Sequence, residues 1–411
     1  MSGNGRVPSR IAVVGGVYRE RCMWPGWKEV FGSAGRAASA ISCMGGQVDL
    51  YTYVDTLAQE VLESRAALED FHVIPTQVSQ SIAFEYHHSL ETPRIYGLGK
   101  QEPPLSVTAD RIVRFGLLEG DAIVKGGQVV YDPQSASSPE LFCTNGSTAD
   151  NLALILNRRE AESMTGLPGR SPENLAEHLI QHSEAQVVVI KLGAEGSLVH
   201  DGAAGHRVPA YQTKRVWKIG SGDNFVAHFA FHWMNEGKSP VESADLASQG
   251  TAYYCQTRGF ATPDLLNAFK PKPVVVSKAY LAGYRPLVYL AGPFFTLAQL
   301  WLVEQALADL KAMGLRVFSP YHEVGHGSAD DVVQLDLEGI DKADLVFAIG
   351  DGLDSGTIYE VGYTCAKAKP VIFYCENETD ENKKMMGGSG CTLCDDYATA
   401  IYQTLWTACA L

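Results

Sequence analysis

Short runs of consecutive apolar residues recur along this 411-residue chain and alternate with longer segments of helical period. Ile11-Ala-Val-Val14, Ala122-Ile-Val-Lys125, Val129-Val-Tyr131, Val187-Val-Val-Ile190 and Leu345-Val-Phe-Ala-Ile349 are such runs, each bounded by polar, glycine or proline positions. Runs apolar at every position, as all of these are apart from Lys125, read as strands buried on both faces. Between them the pattern predicts helices over 147–156, 171–182 and 222–236, with Ser171 as the N-cap of the second and Pro172 at its first position. A further helix is predicted over 299–313. Strands alternating with helices imply an α/β architecture in two halves. A first half spans 7–269, a proline-punctuated linker 270–286, and a second half 287–411.

Composition narrows the class. Apolar residues make up 46% and charged residues 19%, the profile of an ordinary globular protein, and the length suits two domains or three. A formal net charge of −14 argues against nucleic-acid or anionic-membrane partners. With no apolar run of spanning length and no apolar signal core at the start, the expected location is the cytoplasm. Nine scattered cysteines fit reduced thiols, and Cys391-Thr-Leu-Cys394 lacks the two further ligands a structural zinc site needs. His322 and His326 bracket Gly325, so they read as loop residues near a pocket rather than a zinc-binding helix.

The strongest chemical signal is Asp354-Ser-Gly-Thr-Ile-Tyr-Glu360, which follows the strand 345–349 and its glycine loop. Ligands of open α/β sheets sit at this carboxyl end. Glu360 is expected in or near the first turn of the next helix, where the macrodipole favours an ionised carboxylate. Cleaving an N-glycosidic bond needs one carboxylate at C1′ and another group to manage the leaving base's proton. Tyr289-Leu-Ala-Gly-Pro-Phe-Phe-Thr296, Val317-Phe-Ser-Pro320, Asp336-Leu-Glu-Gly-Ile-Asp-Lys-Ala-Asp344 and the Asp354–Pro370 segment together resemble the nucleoside 2-deoxyribosyltransferase family. The resemblance implies a flavodoxin/Rossmann-like parallel sheet and Glu360 as a nucleophile that forms a glycosyl-enzyme. It makes Asp336 the carboxyl that assists proton transfer and assigns Asp354 to sugar hydroxyls. Tyr289 and Gly292 would line the pocket. Ser355 leaves room for a nucleoside 5′-monophosphate as well as an unphosphorylated nucleoside. No cofactor is implied for this half.

In the first half, Lys218-Ile-Gly220-Ser221-Gly222-Asp223 places a glycine turn at a helix start, where backbone N–H groups can face a phosphate, and Asp223 can take the proton from an attacking hydroxyl. With Gly32-Ser-Ala-Gly35-Arg36, Tyr131-Asp132-Pro-Gln134, Asn157-Arg-Arg-Glu160 and Leu192-Gly193-Ala-Glu-Gly196-Ser197, this half resembles ribokinase-like (PfkB) kinases. The resemblance implies an αβα sandwich and a catalytic Asp223. Gly220, Ser221, Gly222, Gly193 and Gly196 would bind ATP, Asp132 would lie near the substrate, and Asn157 and Glu160 would order Mg²⁺. Four departures stand out, one being that the region 56–98 is short for the usual substrate lid. Lys191 precedes the glycine turn where a small hydroxyl residue is usual, Arg36 replaces an asparagine that touches sugar, and no early acidic sugar-binding residue is evident after Gly15-Gly16.

The expectation is therefore a bifunctional enzyme of nucleoside or sugar metabolism, acting on small molecules and assembled as a homo-oligomer. Its second half would cleave or exchange an N-glycosidic bond, and its first would transfer phosphate from ATP to a pentose or nucleoside. Two alternatives remain: an N-glycosidase with a catalytically silent, nucleotide-sensing kinase-like half, and a non-catalytic binding protein.

Overall fold

The computed structural model describes residues 10–135, 138–325 and 329–411, with only the backbone at 329–331. The chain divides into two compact units. One runs to Thr213 and resumes over Trp217–Pro273; the other takes Lys214–Val216 and Val274–Leu411.

The first unit contains strands β1 (Ile11–Val14), β2 (Arg19–Trp24), β3 (Trp27–Val30), β4 (Val48–Val54), β5 (His72–Gln77), β6 (Ala83–His88), β7 (Arg94–Tyr96), β8 (Leu105–Phe115), β9 (Ala122–Asp132), β10 (Thr148–Asn157), β11 (Val187–Lys191), β12 (Ser197–His200) and β13 (Gly205–Val208). Nine of them form one sheet in the order β13-β12-β11-β10-β9-β8-β1-β4-β5. It is parallel from β11 through to β5, and the edge pairs involving β12 are antiparallel. Alternate residues feed opposite cores. Ile11, Val13, Ala153, Ile155, Val187 and Val189 pack with Phe225, Phe229 and Ala244 from helices Ser221–Ala230 and Pro240–Thr257. Ala12, Val14, Leu152, Leu154, Leu156, Val188 and Ile190 pack with Leu175 and Leu179 of helix Pro172–His182. Burial on both faces is why these strands read as continuous apolar runs, and the result is the expected αβα sandwich. A separate four-stranded sheet runs β3-β2-β6-β7.

Several predicted elements form as read. Helix Pro172–His182 starts with the Ser171 side chain accepting from Asn174 N–H, and the 222–236 segment is helix Ser221–Ala230 continued by a π-turn at Phe231–Asn235. The helix predicted over 147–156 is corrected to the strand β10. Its Leu152-Ala-Leu-Ile-Leu156 run divides its side chains between both cores, and Ser147 accepts a hydrogen bond from Val124 N–H instead of capping a helix. The two short strands read at 122–125 and 129–131 are one strand, β9.

The second unit holds β14 (Leu287–Ala291), β15 (Arg316–Phe318), β16 (Leu345–Ile349), β17 (Val371–Tyr374) and β18 (Thr392–Cys394). All pair in parallel in the order β15-β14-β16-β17-β18. This is the 2-1-3-4-5 order of flavodoxin-like sheets, whose switch point lies between the first and third strands, here β14 and β16. His322, read as a loop residue, lies in the short helix Pro320–Glu323 and contacts Ser319 and Glu304; His326 is outside the described residues. Among those residues no helix is long and apolar enough to cross a membrane.

Gly196 turns the chain from β11 into β12 at φ +80°, and a Cβ there would overlap the Val208 carbonyl oxygen. Gly196→Ala is therefore expected to cost about 2 kcal/mol or more. Urea denaturation of the two proteins measures this, and an unchanged midpoint would remove the close approach from the account.

Candidate functional sites

In the second unit the switch point gathers the residues singled out from the sequence. Tyr289 lies in β14, fully buried and stacked on Phe318 with ring centroids 5.6 Å apart. Its hydroxyl donates to Glu360 Oε1 at 2.5 Å. Glu360 sits on helix Ser355–Ala366, whose N-cap is Asp354; one Asp354 carboxylate oxygen accepts from Thr357 N–H at 2.9 Å and Thr357 hydroxyl at 3.0 Å. Ser355 is the exposed first residue of that helix, and Gly292 follows β14 closely enough to Ile349 that a Cβ would press on it at 3.1 Å. Asp336 projects from helix Ala329–Lys342.

Glu360, expected in or near the first turn, falls just past it. It is the sixth residue of its helix, beyond the reach of the macrodipole. Its ionisation is not favoured by the helix end, and burial pushes its carboxyl up to about 7. The Tyr289 hydrogen bond opposes that rise, while the charges of Asp336 and Asp354 add to it. Burial also raises the Asp336 carboxyl, whose buried Oδ1 has no hydrogen-bond partner among the described residues. A carboxyl raised to about 7 is partly protonated at neutral pH, and the burial that raises Asp336 likewise favours its protonated form.

The first unit carries a cavity of about 420 Å³ lined by Tyr18, Phe84, Tyr86, Gln134, Gly220, Gly222 and Asp223, among others. Its floor is a buried ion-pair cluster. Arg36 is 1% exposed; it donates to Glu20, to Asp223 Oδ2 at 2.8 Å, to Gly32 O at 3.2 Å and to the Tyr254 hydroxyl at 3.1 Å. Gln134 donates to the other Asp223 oxygen at 2.8 Å. Gly220, in the left-handed region, starts the Ser221–Ala230 helix, and Lys218 Nζ donates to the Ser221 hydroxyl at 2.7 Å.

The remaining predicted residues lie around this cavity rather than in its wall. Lys191 Nζ donates to Asp132 Oδ2 at 2.8 Å. Asn157 and Glu160 form a capping box on helix Arg158–Thr165. Gly193 and Gly196 shape the β11–β12 turn, both at positive φ. Reading the sequence missed Glu20, Tyr254 and the aromatic pair Phe84 and Tyr86. For Glu20 a signal existed: it stands between Arg19 and Arg21 in a strand, and alternation points it away from both.

Residues 128–266 match the family model described as pfkB family carbohydrate kinase, and residues 288–391 match nucleoside 2-deoxyribosyltransferase. No curated protein sequence matches the chain significantly. Solved structures similar to it include a nucleoside kinase from Methanocaldococcus jannaschii, an archaeal member of the ribokinase family, at 13% identity and TM-score 0.50, covering 63% of this chain and 97% of that one. Fructokinase from Vibrio cholerae matches at 15% identity and TM-score 0.48, over 64% of this chain and 99% of that one. Ribokinase from Thermotoga maritima matches at 17% and 0.45, over 64% and 99%. At 13% identity, the likeness to the Methanocaldococcus jannaschii structure speaks for the fold alone.

The electrostatics of the second site are directly measurable. Carbon-detected NMR titration should place the Glu360 carboxyl midpoint near 7. In Asp336→Asn it should fall, because a neighbouring negative charge that opposes ionisation has gone. A midpoint near the ordinary glutamate value in the parent would overturn the enclosed-carboxyl description.

Proposed function

We propose that this chain, which carries both family segments, is an enzyme whose second unit cleaves or exchanges the N-glycosidic bond of a nucleoside or deoxynucleoside. The observation that carries the reading is the Tyr289–Glu360 hydrogen bond at 2.5 Å, with the charge of Asp336 acting on the same buried carboxyl. Tyr289 orients the carboxylate through one oxygen and leaves the other for C1′. In the first step a C1′–oxygen bond to Glu360 forms as the C1′–nitrogen bond breaks, and a proton held at Asp336 goes to the departing base. Water then releases the sugar, or a second base accepts it, and the Glu360 carboxylate is restored. Asp354, at the mouth of the site, would hold sugar hydroxyls, with Ser355 and Gly292 beside it. Homo-oligomer assembly belongs to the proposal, with the exposed Phe295, Leu297 and Trp301 as apolar side chains a second copy could cover.

For the first unit, the sequence expectation is phosphate transfer from ATP to a pentose or nucleoside by Asp223. One observation favours a second reading. Both carboxylate oxygens of Asp223 already accept hydrogen bonds, from Arg36 and from Gln134, so an incoming hydroxyl would share an ion-paired carboxylate whose charge is drawn on by a guanidinium, which weakens it as a base. This supports a unit that binds a nucleoside, sugar or nucleotide in its aromatic cavity without transferring phosphate.

Glu360→Ala should lower base release from nucleosides by about a thousandfold or more while leaving the circular dichroism spectrum unchanged. Chromatography of nucleosides with and without an acceptor base separates exchange from hydrolysis. Turnover within about tenfold of the parent, about 1.4 kcal/mol of barrier, would remove Glu360 as nucleophile. Asp336→Asn should slow natural nucleosides far more than sugars whose leaving group needs no proton; equal losses on both would reassign Asp336 to positioning.

A further inference from the structure

The kinase-like pattern implies Mg²⁺ ordered by Asn157 and Glu160, and in the first unit these two side chains are committed to the backbone of their own helix. Asn157 Oδ1 accepts from Glu160 N–H at 3.0 Å, and Glu160 Oε2 accepts from Asn157 N–H at 2.7 Å. These side chains satisfy the first turn of helix Arg158–Thr165, where N–H groups would otherwise lack partners. Mg²⁺ demands near-octahedral oxygen ligands at about 2.0–2.1 Å. Among the described residues no group of three or more histidine, cysteine, aspartate or glutamate side chains is placed to hold a metal.

A cation is nevertheless present in the same acidic surroundings, and it is covalently attached. Strand register pairs Asn157 of β10 with Lys191 of β11. From there the Lys191 ammonium reaches Asp132 Oδ2 at 2.8 Å, with Asp132 1% exposed. Glu160 and Asp223 add their fields at the same ammonium, and a Cβ placed on Gly222 would lie 3.7 Å from it. The ammonium therefore stands between the Asp132–Glu160 side and the start of the Ser221–Ala230 helix. A buried carboxylate such as Asp132 requires a counter-charge, and Lys191 supplies it.

We propose that Lys191 is a tethered cation taking the place of the divalent metal in this acidic cluster, so that the first unit holds no divalent ion there. A phosphate group that reaches Gly222 would meet an ammonium rather than Mg²⁺. The inference concerns the first unit and stands independently of the glycosyl chemistry of the second.

The test is Mn²⁺ titration followed by electron paramagnetic resonance on the full chain. The probe is the metal alone, with folding checked by circular dichroism. The parent is expected to show no Mn²⁺ binding that depends on Asp132, so that Asp132→Asn leaves its titration unchanged. Lys191→Ser frees the carboxylates and is expected to bind Mn²⁺ at least tenfold more tightly than the parent. That gain should vanish in Lys191→Ser combined with Asp132→Asn, whereas Lys191→Arg keeps the charge and should gain nothing. A parent Mn²⁺ site lost on Asp132→Asn would overturn the proposal, and so would a folded Lys191→Ser protein with unchanged Mn²⁺ affinity. Should Lys191→Ser fail to fold, the parent and Asp132→Asn comparison decides alone.

Discussion

The first unit depends on how a guanidinium is held out of water. Arg36, 1% exposed, reaches Glu20 on β2, Asp223 at the start of one helix, Tyr254 on another and the Gly32 carbonyl of its own helix. A charge removed from solvent is tolerable only when its donors are matched, and removing one partner of such a pair typically costs about 3–5 kcal/mol. The cluster thereby ties the small sheet, through β2, to the helices that build the cavity. It also pairs Asp223, the carboxylate that the kinase-like pattern offers as a base, with the same guanidinium. The constraint that holds the cavity together thus bears on whether it can act as a kinase.

The second unit handles buried charge in the opposite way. Burial, and after it the charges of Asp336 and Asp354, raise the Glu360 carboxyl with no arginine or lysine among the causes, while burial alone raises Asp336, and a phenol is the neutral donor that contacts the nucleophile candidate. Like charges in an enclosure raise one another's pKa. The outcome is a carboxyl near neutrality instead of a permanently ionised one. Such a group can change protonation state during turnover, which a salt-bridged carboxylate cannot do cheaply.

Much of this arrangement was legible in the chain. Ser171-Pro172 marked a helix start because capping is a local interaction between neighbours in sequence. The runs 11–14, 187–190 and 345–349 marked central strands because burial on both faces leaves no polar positions. The 147–156 segment misled because Ser-Thr-Ala-Asp ahead of an apolar run satisfies a helix template as well as a strand template, and a short apolar run has no period that separates them. Glu360 was singled out from its motif, but its place in the second turn depended on Asp354 being the cap.

Sequence by itself determined the α/β alternation, the two halves, and the identities of Tyr289, Asp336, Asp354, Glu360, Asp223 and Lys191, since each rests on local pattern or on a short motif. Only the tertiary structure decided what those groups face. Glu20 and Arg36 are 16 positions apart, Arg36 and Asp223 are 187 apart, and Tyr289 and Glu360 are 71 apart. No local rule specifies contacts at such separations. Whether a carboxylate is a base, a counter-ion or a cap follows from the solvent it has lost and the partner it has gained. Burial and long-range pairing set both, and both exist only once the sheets have formed and the helices have packed on them.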